Sequence, residues 1–150
     1  MQRLRIYMDV CCLSRPFDDL SQARIYLEAE ATLSIISRCE SGEWTLLSSG
    51  TIDYELSQIS DTETYEKTSA LYGAATEHMS LTPPLVERAK EFQSLGLKHF
   101  DSLHMAIAEG ANADVFLTTD DRLIKATNRT DVGIRVSNPV IWLMEVESNE

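Results

Sequence analysis

Residues 114–119 (DVFLTT) constrain this chain more than any other segment. Their centre, Val115-Phe116-Leu117, is apolar at three consecutive positions, so a strand built from it offers no polar face to water. Such a strand has to be covered on both sides. The neighbouring segments supply the covers. Residues 100–109 place Leu103, Ile107 and Met105 or Ala106 at helical spacing, and a second helix opens at Asp120 or Asp121 and runs through Ala126. A strand held between helices pairs in parallel with its neighbours, because the chain crosses a layer before it returns.

The rest of the chain repeats this alternation. Residues 4–8 predict a strand ending at Asp9, residues 43–48 a second, and residues 134–136 a last short one. Between them lie a loop at 14–19 and a helix over 22–39, with Ile25, Ala29, Leu33 and Ile36 on one face and a stop at Ser41-Gly42. Asp19 or Ser21 is placed to cap that helix. Further helices are expected over 51–59, from Asp61 to about His78, from Pro83-Pro84 through Ser94 with Gly96 as the stop, and over 139–146. A short extended segment is expected near 79–81. The expected fold is a three-layer α/β/α sandwich around a short, mostly parallel central sheet of about four strands, forming a single domain over residues 1–150. The 43% hydrophobic content suffices for its core.

No apolar run approaches the length of a membrane span, and the opening MQRLRIYMDV is too short in its apolar part for a signal peptide, so no membrane association and a cytoplasmic location are expected. Cys11, Cys12 and Cys39 fit reduced thiols in that compartment: vicinal cysteines suit a disulfide poorly, and no zinc-like Cys/His spacing occurs. The net charge of −11 argues against a broad basic surface wrapping nucleic acid. It leaves room for an enzyme that grips a phosphodiester through bound cations.

In open parallel sheets, sites form beyond the carboxyl ends of the strands. Asp9 ends the first strand and Asp120 follows DVFLTT. Glu55 lies one short helix past the second strand, and Asp101 opens the helix before DVFLTT. Hard divalent ions prefer such oxygen ligands, and they activate water and stabilise charge on phosphoryl oxygens. Position alone leaves other readings open. The chain has 24 acidic residues; Asp101 and Asp120 also suit helix caps or first-turn acids, and Glu55 a solvated helix position. Asp9 is the most distinctive, closing an apolar strand with no polar turn around it.

IYMD at the first strand, the Glu of SSGTIDYEL, LKHFDSLHMAIA and LTTDDRL span nearly the whole chain. Through them the sequence resembles the PIN-domain family, which includes VapC-type toxins. The resemblance implies a metal-dependent endoribonuclease using Mg²⁺ or Mn²⁺. Asp9, Glu55, Asp101 and Asp120 match the acidic quartet. Thr118 matches the Thr of Thr-x-Asp, and Asp121 adjoins it as a supporting residue or a helix N-terminal acid. Asp53 competes with Glu55; two residues apart on a helix, they face different ways. The Ser or Thr that often follows the first Asp is missing, with Cys11 or Cys12 in its neighbourhood and Ser14 further on.

The resemblance also implies the toxin of a type II toxin–antitoxin pair, with an RNA substrate, an antitoxin partner and a homodimer. Water would attack phosphorus and leave a 5′-phosphate and a 3′-hydroxyl, Glu55 holding the water or completing the ligand set. Arg15 is a candidate phosphate contact or a salt-bridge residue. His104 falls on a helical face similar to that of Asp101 and reads as structural or as a neighbour of the site. Lys98 and His99 precede Asp101 and read as solvated surface; Trp44, Phe116 and Trp142 read as core. The rival function is a non-catalytic PIN-fold module binding RNA or protein. A dehalogenase-like phosphatase wants Asp-x-Asp after the first strand, and Asp9-Val10-Cys11 lacks the second acid.

Overall fold

Val115, Phe116 and Leu117 are fully buried in strand β4 (Val115–Leu117), as an all-apolar strand requires. The computed structural model describes residues 3–130 and 132–150. Among them, β4 joins β1 (Arg5–Met8), β2 (Thr45–Ser49), β3 (Ala75–Met79) and β5 (Arg135–Ser137) in one sheet of order β3-β2-β1-β4-β5, every pair parallel. Helices flank it in three layers, α/β/α. They are α1 (Val10–Leu13), α2 (Ala23–Glu40), α3 (Gly50–Ser57), α4 (Thr62–Leu71), α5 (Pro83–Ser94), α6 (His99–Gly110), α7 (Asp121–Asn128) and α8 (Pro139–Ser148). Helix α2 packs on α8, and α5 on α6. No helix is long and apolar enough to cross a membrane among the described residues.

The sheet has five strands, not about four. The helix expected to reach His78 ends at Leu71, and a 3₁₀ turn over Tyr72–Ala74 leads into β3. Edge strand β3 (ATEHM) has three exposed residues at its centre and no apolar alternation, so nothing local marks it as a strand. It forms because β2 offers an unpaired edge, and the Arg5 guanidinium reaches across to Glu77 at 2.6 Å. The buried face of α2 is also turned from the expected one. It consists of Glu28, Ala29, Ala31, Thr32, Ile35, Ile36 and Cys39, while Leu33 is exposed. Neither Asp19 nor Ser21 caps this helix; Gln22 stands at the cap, and Asp19 instead accepts the Ser21 N–H at 3.0 Å in a turn before it. Gly96, at φ 108°, does close α5, in a backbone region that other residues enter only at a cost.

The strand order locates the crevice. The chain steps from β1 outward to β3, then returns to the other side of β1 for β4 and β5. Parallel sheets open a cleft at such a reversal, beyond the carboxyl ends of the two strands. Here those strands are β1 and β4. The Asp9 N–H donates to the Leu117 carbonyl at 3.2 Å, so the two strand ends are tied side by side.

Candidate functional site

Asp9 stands at this reversal and is buried. It caps α1 from an extended backbone: its Oδ1 accepts the Cys12 N–H at 3.0 Å and the Cys11 thiol at 3.1 Å. Burial holds its carboxyl above the ordinary value, and hydrogen bonding from Thr118, Cys11 and Cys12 opposes that rise. Cys11 thus stands beside the carboxylate where a hydroxyl was wanting, whereas Ser14 turns back to the Cys11 carbonyl. Burial of the sulfur, then the Asp9 charge, push this thiol up to about 12, so it serves as a protonated donor. Thr118 is fully buried, and its Oγ1 accepts the Asp120 N–H at 3.1 Å, bracing the turn into α7.

Asp120 caps α7, accepting the Arg122 N–H at 2.9 Å and the Leu123 N–H at 3.4 Å. Asp101 lies in the first turn of α6. Asp101 and Asp120 line one small cavity of about 90 Å³ with Lys98 and Arg122. Burial, then the charges of Asp9 and Asp120, push the Asp101 carboxyl up to about 6; His104 opposes the shift and Glu55 adds to it. All three other acids are therefore close enough for their fields to reach Asp101. Glu55 is half-buried and hydrogen-bonded to His104 Nε2. His104 continues inward through Nδ1 to the Tyr7 hydroxyl, which meets Ser49 Oγ at 2.8 Å, itself the acceptor for the Ile52 N–H that starts α3. Asp53 points away, exposed and paired with His78 at 2.8 Å.

The remaining sequence-derived candidates are engaged elsewhere. Arg15 binds Glu28 at 2.8 Å and Asp18 at 3.0 Å. Asp121 receives both Arg24 guanidinium nitrogens at 2.8 Å. Both arginines meet on Glu28, which is buried and also accepts from Asn138 at 2.6 Å. Sequence reasoning missed this anchor, because an acidic residue in a helix reads as solvated unless its cations are seen. Lys98 and His99 are exposed, and Trp44, Phe116 and Trp142 are core, as expected.

The donor chemistry fits a hard divalent ion: Asp9, Asp101 and Asp120 present carboxylate oxygens, and among the described residues none of the three has a salt-bridge partner. Their side chains do not form a finished cage. Among the described residues, no three of His, Cys, Asp and Glu are grouped closely enough to hold an ion. Asp9 and Asp120 are instead turned onto backbone amides, and Glu55 onto His104.

Asp101 gives a pH signature for the metal-free protein. Its folded-state pKa, about 6, lies above the ordinary 3.8, so between those values the folded chain keeps a proton that the unfolded chain releases. The contribution of Asp101 to stability therefore falls as pH rises through that window. With chelator present, Asp101→Asn melts close to wild type at pH 4 and above it at pH 7. Melting curves at the two pH values check this, and a gap that shrinks toward pH 7 contradicts it.

A three-layer α/β/α protein with Asp9 and Asp120 at the strand ends of the sheet's reversal point is the class that fold and site define. No family model matches the chain, and no curated protein sequence does. Solved structures share its fold. A chain of VapBC2 from Rickettsia felis, in a crystal structure bound to a DNA fragment from its promoter, superposes with a TM-score of 0.58; it is 13% identical, and the match covers 90% of this chain and 98% of that one. PAE2754 from Pyrobaculum aerophilum gives a TM-score of 0.56 at 15% identity, over 98% of this chain and 91% of that one. The fold is thus PIN-like and VapC-like, as the sequence motifs implied.

Proposed function

We propose that this protein is a divalent-metal-dependent endoribonuclease, the toxin of a toxin–antitoxin pair working in the cytoplasm on RNA. One observation carries the reading: at the β1/β4 crevice the charges of Asp9 and Asp120 act on Asp101, and among the described residues none of the three is in a salt bridge. Carboxylates in that situation repel unless a cation joins them. Asp9, Asp101 and Asp120 would hold Mg²⁺ or Mn²⁺, with Glu55 completing the set or orienting the attacking water. The ion supplies charge neutralisation and lowers the pKa of water. The chain's own part is positional. The α1 and α7 caps aim Asp9 and Asp120, Thr118 braces the turn between β4 and α7, and the His104–Tyr7–Ser49 chain fixes Glu55. Water adds to phosphorus, the 3′ oxygen leaves with a proton, and a 5′-phosphate remains.

The VapBC2 likeness supports an antitoxin as partner for this chain. A second reading, a non-catalytic PIN-fold binding module, draws support from the ungrouped acid side chains and the net charge of −11. Two measurements separate them. The nuclease cleaves RNA with Mg²⁺ or Mn²⁺ and stops on chelation, and Mn²⁺ raises its melting temperature by the mass action of binding to the folded state. RNA left intact with either metal, together with a melting temperature indifferent to both, favours the binding module.

A further inference from the structure

Most lysine and arginine side chains of this acidic protein are tied into salt bridges. Among the described residues, Arg3, Lys98, Arg122, Lys125 and Arg129 are not. Lys125 and Arg129 stand in the last turn and at the C-cap of α7, where the helix dipole favours a cation. Lys98 and Arg122 stand where the dipole favours an acid instead: Lys98 is the N-cap residue of α6, and Arg122 lies in the first turn of α7. Both side chains are exposed. Both line the cavity of about 90 Å³ that Asp101 and Asp120 share. Two cations placed against their own helix dipoles, at one cavity, require a reason.

The acids of that cavity do not supply it. Among the described residues no carboxylate lies within salt-bridge distance of Lys98 or Arg122. The charges that act most on Asp101 are those of Asp9, Asp120, His104 and Glu55. The cavity thus has a negative side and a positive side that leave each other unpaired, and its complement is a ligand that carries both signs. A phosphodiester held at a divalent ion is such a ligand. Its cation answers Asp101 and Asp120, and the charge left on its oxygens answers Lys98 and Arg122, both residue types suited to phosphate. Size agrees. Sites that enclose a whole small ligand run to ~300–1,000 Å³, so a cavity of about 90 Å³ admits one small group such as a phosphate and not a nucleoside.

We propose that Lys98 and Arg122 form a phosphate subsite that grips a backbone phosphodiester beside Asp101 and Asp120. The proposal rests on the ribonuclease reading for the identity of the strand. It adds where a chain of net charge −11 finds the cationic contacts on which nucleic-acid affinity largely depends: two residues at the starts of α6 and α7, in place of a broad basic surface. A contact to phosphate fixes the position of the strand and reads no base.

The test uses the full chain and a short labelled RNA of about ten nucleotides, titrated over a series of salt concentrations. Ca²⁺ stands in for Mn²⁺ during the binding titrations. Lys98→Ala and Arg122→Ala are each expected to weaken binding and to lower the slope of log K against log salt by ~0.7, the share of one phosphate contact on a single strand. Lys98→Arg and Arg122→Lys should keep the wild-type slope. The Arg122 N–H that Asp120 accepts belongs to the backbone, so the substitution leaves that cap in place. Mn²⁺ should therefore raise the melting temperature of every variant at least as much as that of wild type. An unchanged salt slope in both alanine variants overturns the subsite and leaves the ribonuclease reading standing. So does loss of the Mn²⁺ effect in them, which would make the pair a support for the acids. Equal weakening of polyglutamate and RNA binding makes the pair a general anion contact and overturns the phosphate assignment. A wild-type protein that neither binds nor cleaves RNA with metal removes the ribonuclease reading itself, and the subsite with it.

Discussion

Asp9→Asn is expected to cut the proposed metal-dependent RNA cleavage by about 10²- to 10⁴-fold while raising the melting temperature of the metal-free protein. The two effects share one cause. Asp9 is buried at the carboxyl end of β1, and burial holds its carboxyl above the usual range, so its charged form is disfavoured where it stands. Asparagine keeps the side-chain oxygen that accepts the Cys12 N–H and the Cys11 thiol, and it caps a helix as well as aspartate does. The fold therefore loses a buried charge and keeps the hydrogen bonds from Cys11 and Cys12. A gain of about 1 kcal/mol corresponds to about 2–4 °C in a chain of this size. The same exchange removes a charge from the set proposed to hold the cation. Losing several kcal/mol of charge stabilisation lowers the cleavage rate by about 10²- to 10⁴-fold, and the gain in melting temperature with Mn²⁺ should vanish. Full cleavage by the variant in Mn²⁺ would refute the role given to Asp9, and a lower metal-free melting temperature would refute the account of its cap.

Glu28→Ala has the largest expected effect on stability, on the order of 3–5 kcal/mol, or about 6–20 °C. Glu28 is 1% exposed and accepts from Arg15, Arg24 and Asn138 together. It joins α2 to the turn over Arg15–Phe17 and to Asn138, the cap of α8. Truncation leaves the buried Asn138 amide without its acceptor and takes one carboxylate from Arg15 and from the half-exposed Arg24, which costs more than the loss of an exposed ion pair. Glu28→Gln retains an acceptor oxygen and falls between the two. Arg24 also grips Asp121 and the Thr119 carbonyl, so the damage extends to the turn that carries Asp120. Thermal and denaturant unfolding of the three proteins give the order wild type, Gln, Ala. An alanine variant melting within a degree of wild type shows that the cluster contributes little.

How far each part of the molecule could be read from sequence follows from where its determinants lie. Val115-Phe116-Leu117 declared a covered strand by itself, and the Pro83-Pro84 start and Gly96 stop framed α5. Strand β3 was hidden, because an exposed edge strand borrows its stability from the neighbour it pairs with. The face of α2 was misjudged for a related reason: Glu28 and Thr32 point inward, Glu28 because its partners wait there, while apolar Leu33 points out. The sequence resemblance favoured Glu55 over Asp53, and only the structure shows their partners, His104 for Glu55 and His78 for Asp53. The stacked Tyr54 and Phe100 were equally invisible, since each looks like an ordinary helix residue until α3 and α6 are brought together.

The sequence by itself determined the alternation of strand and helix, and it put Asp9 and Asp120 at strand ends and Asp101 at a helix start. Those features depend on the period and capping chemistry of contiguous residues. Only the tertiary structure decided which acids act on one another, which are held by His104 or by backbone amides, and that Glu28 is an anchor and not a surface charge. Burial and charge interaction are set by neighbours distant in sequence: Asp101 owes its raised pKa first to burial and then to Asp9 and Asp120 across the β1/β4 crevice, and buried Glu28 accepts from Asn138 at the other end of the chain.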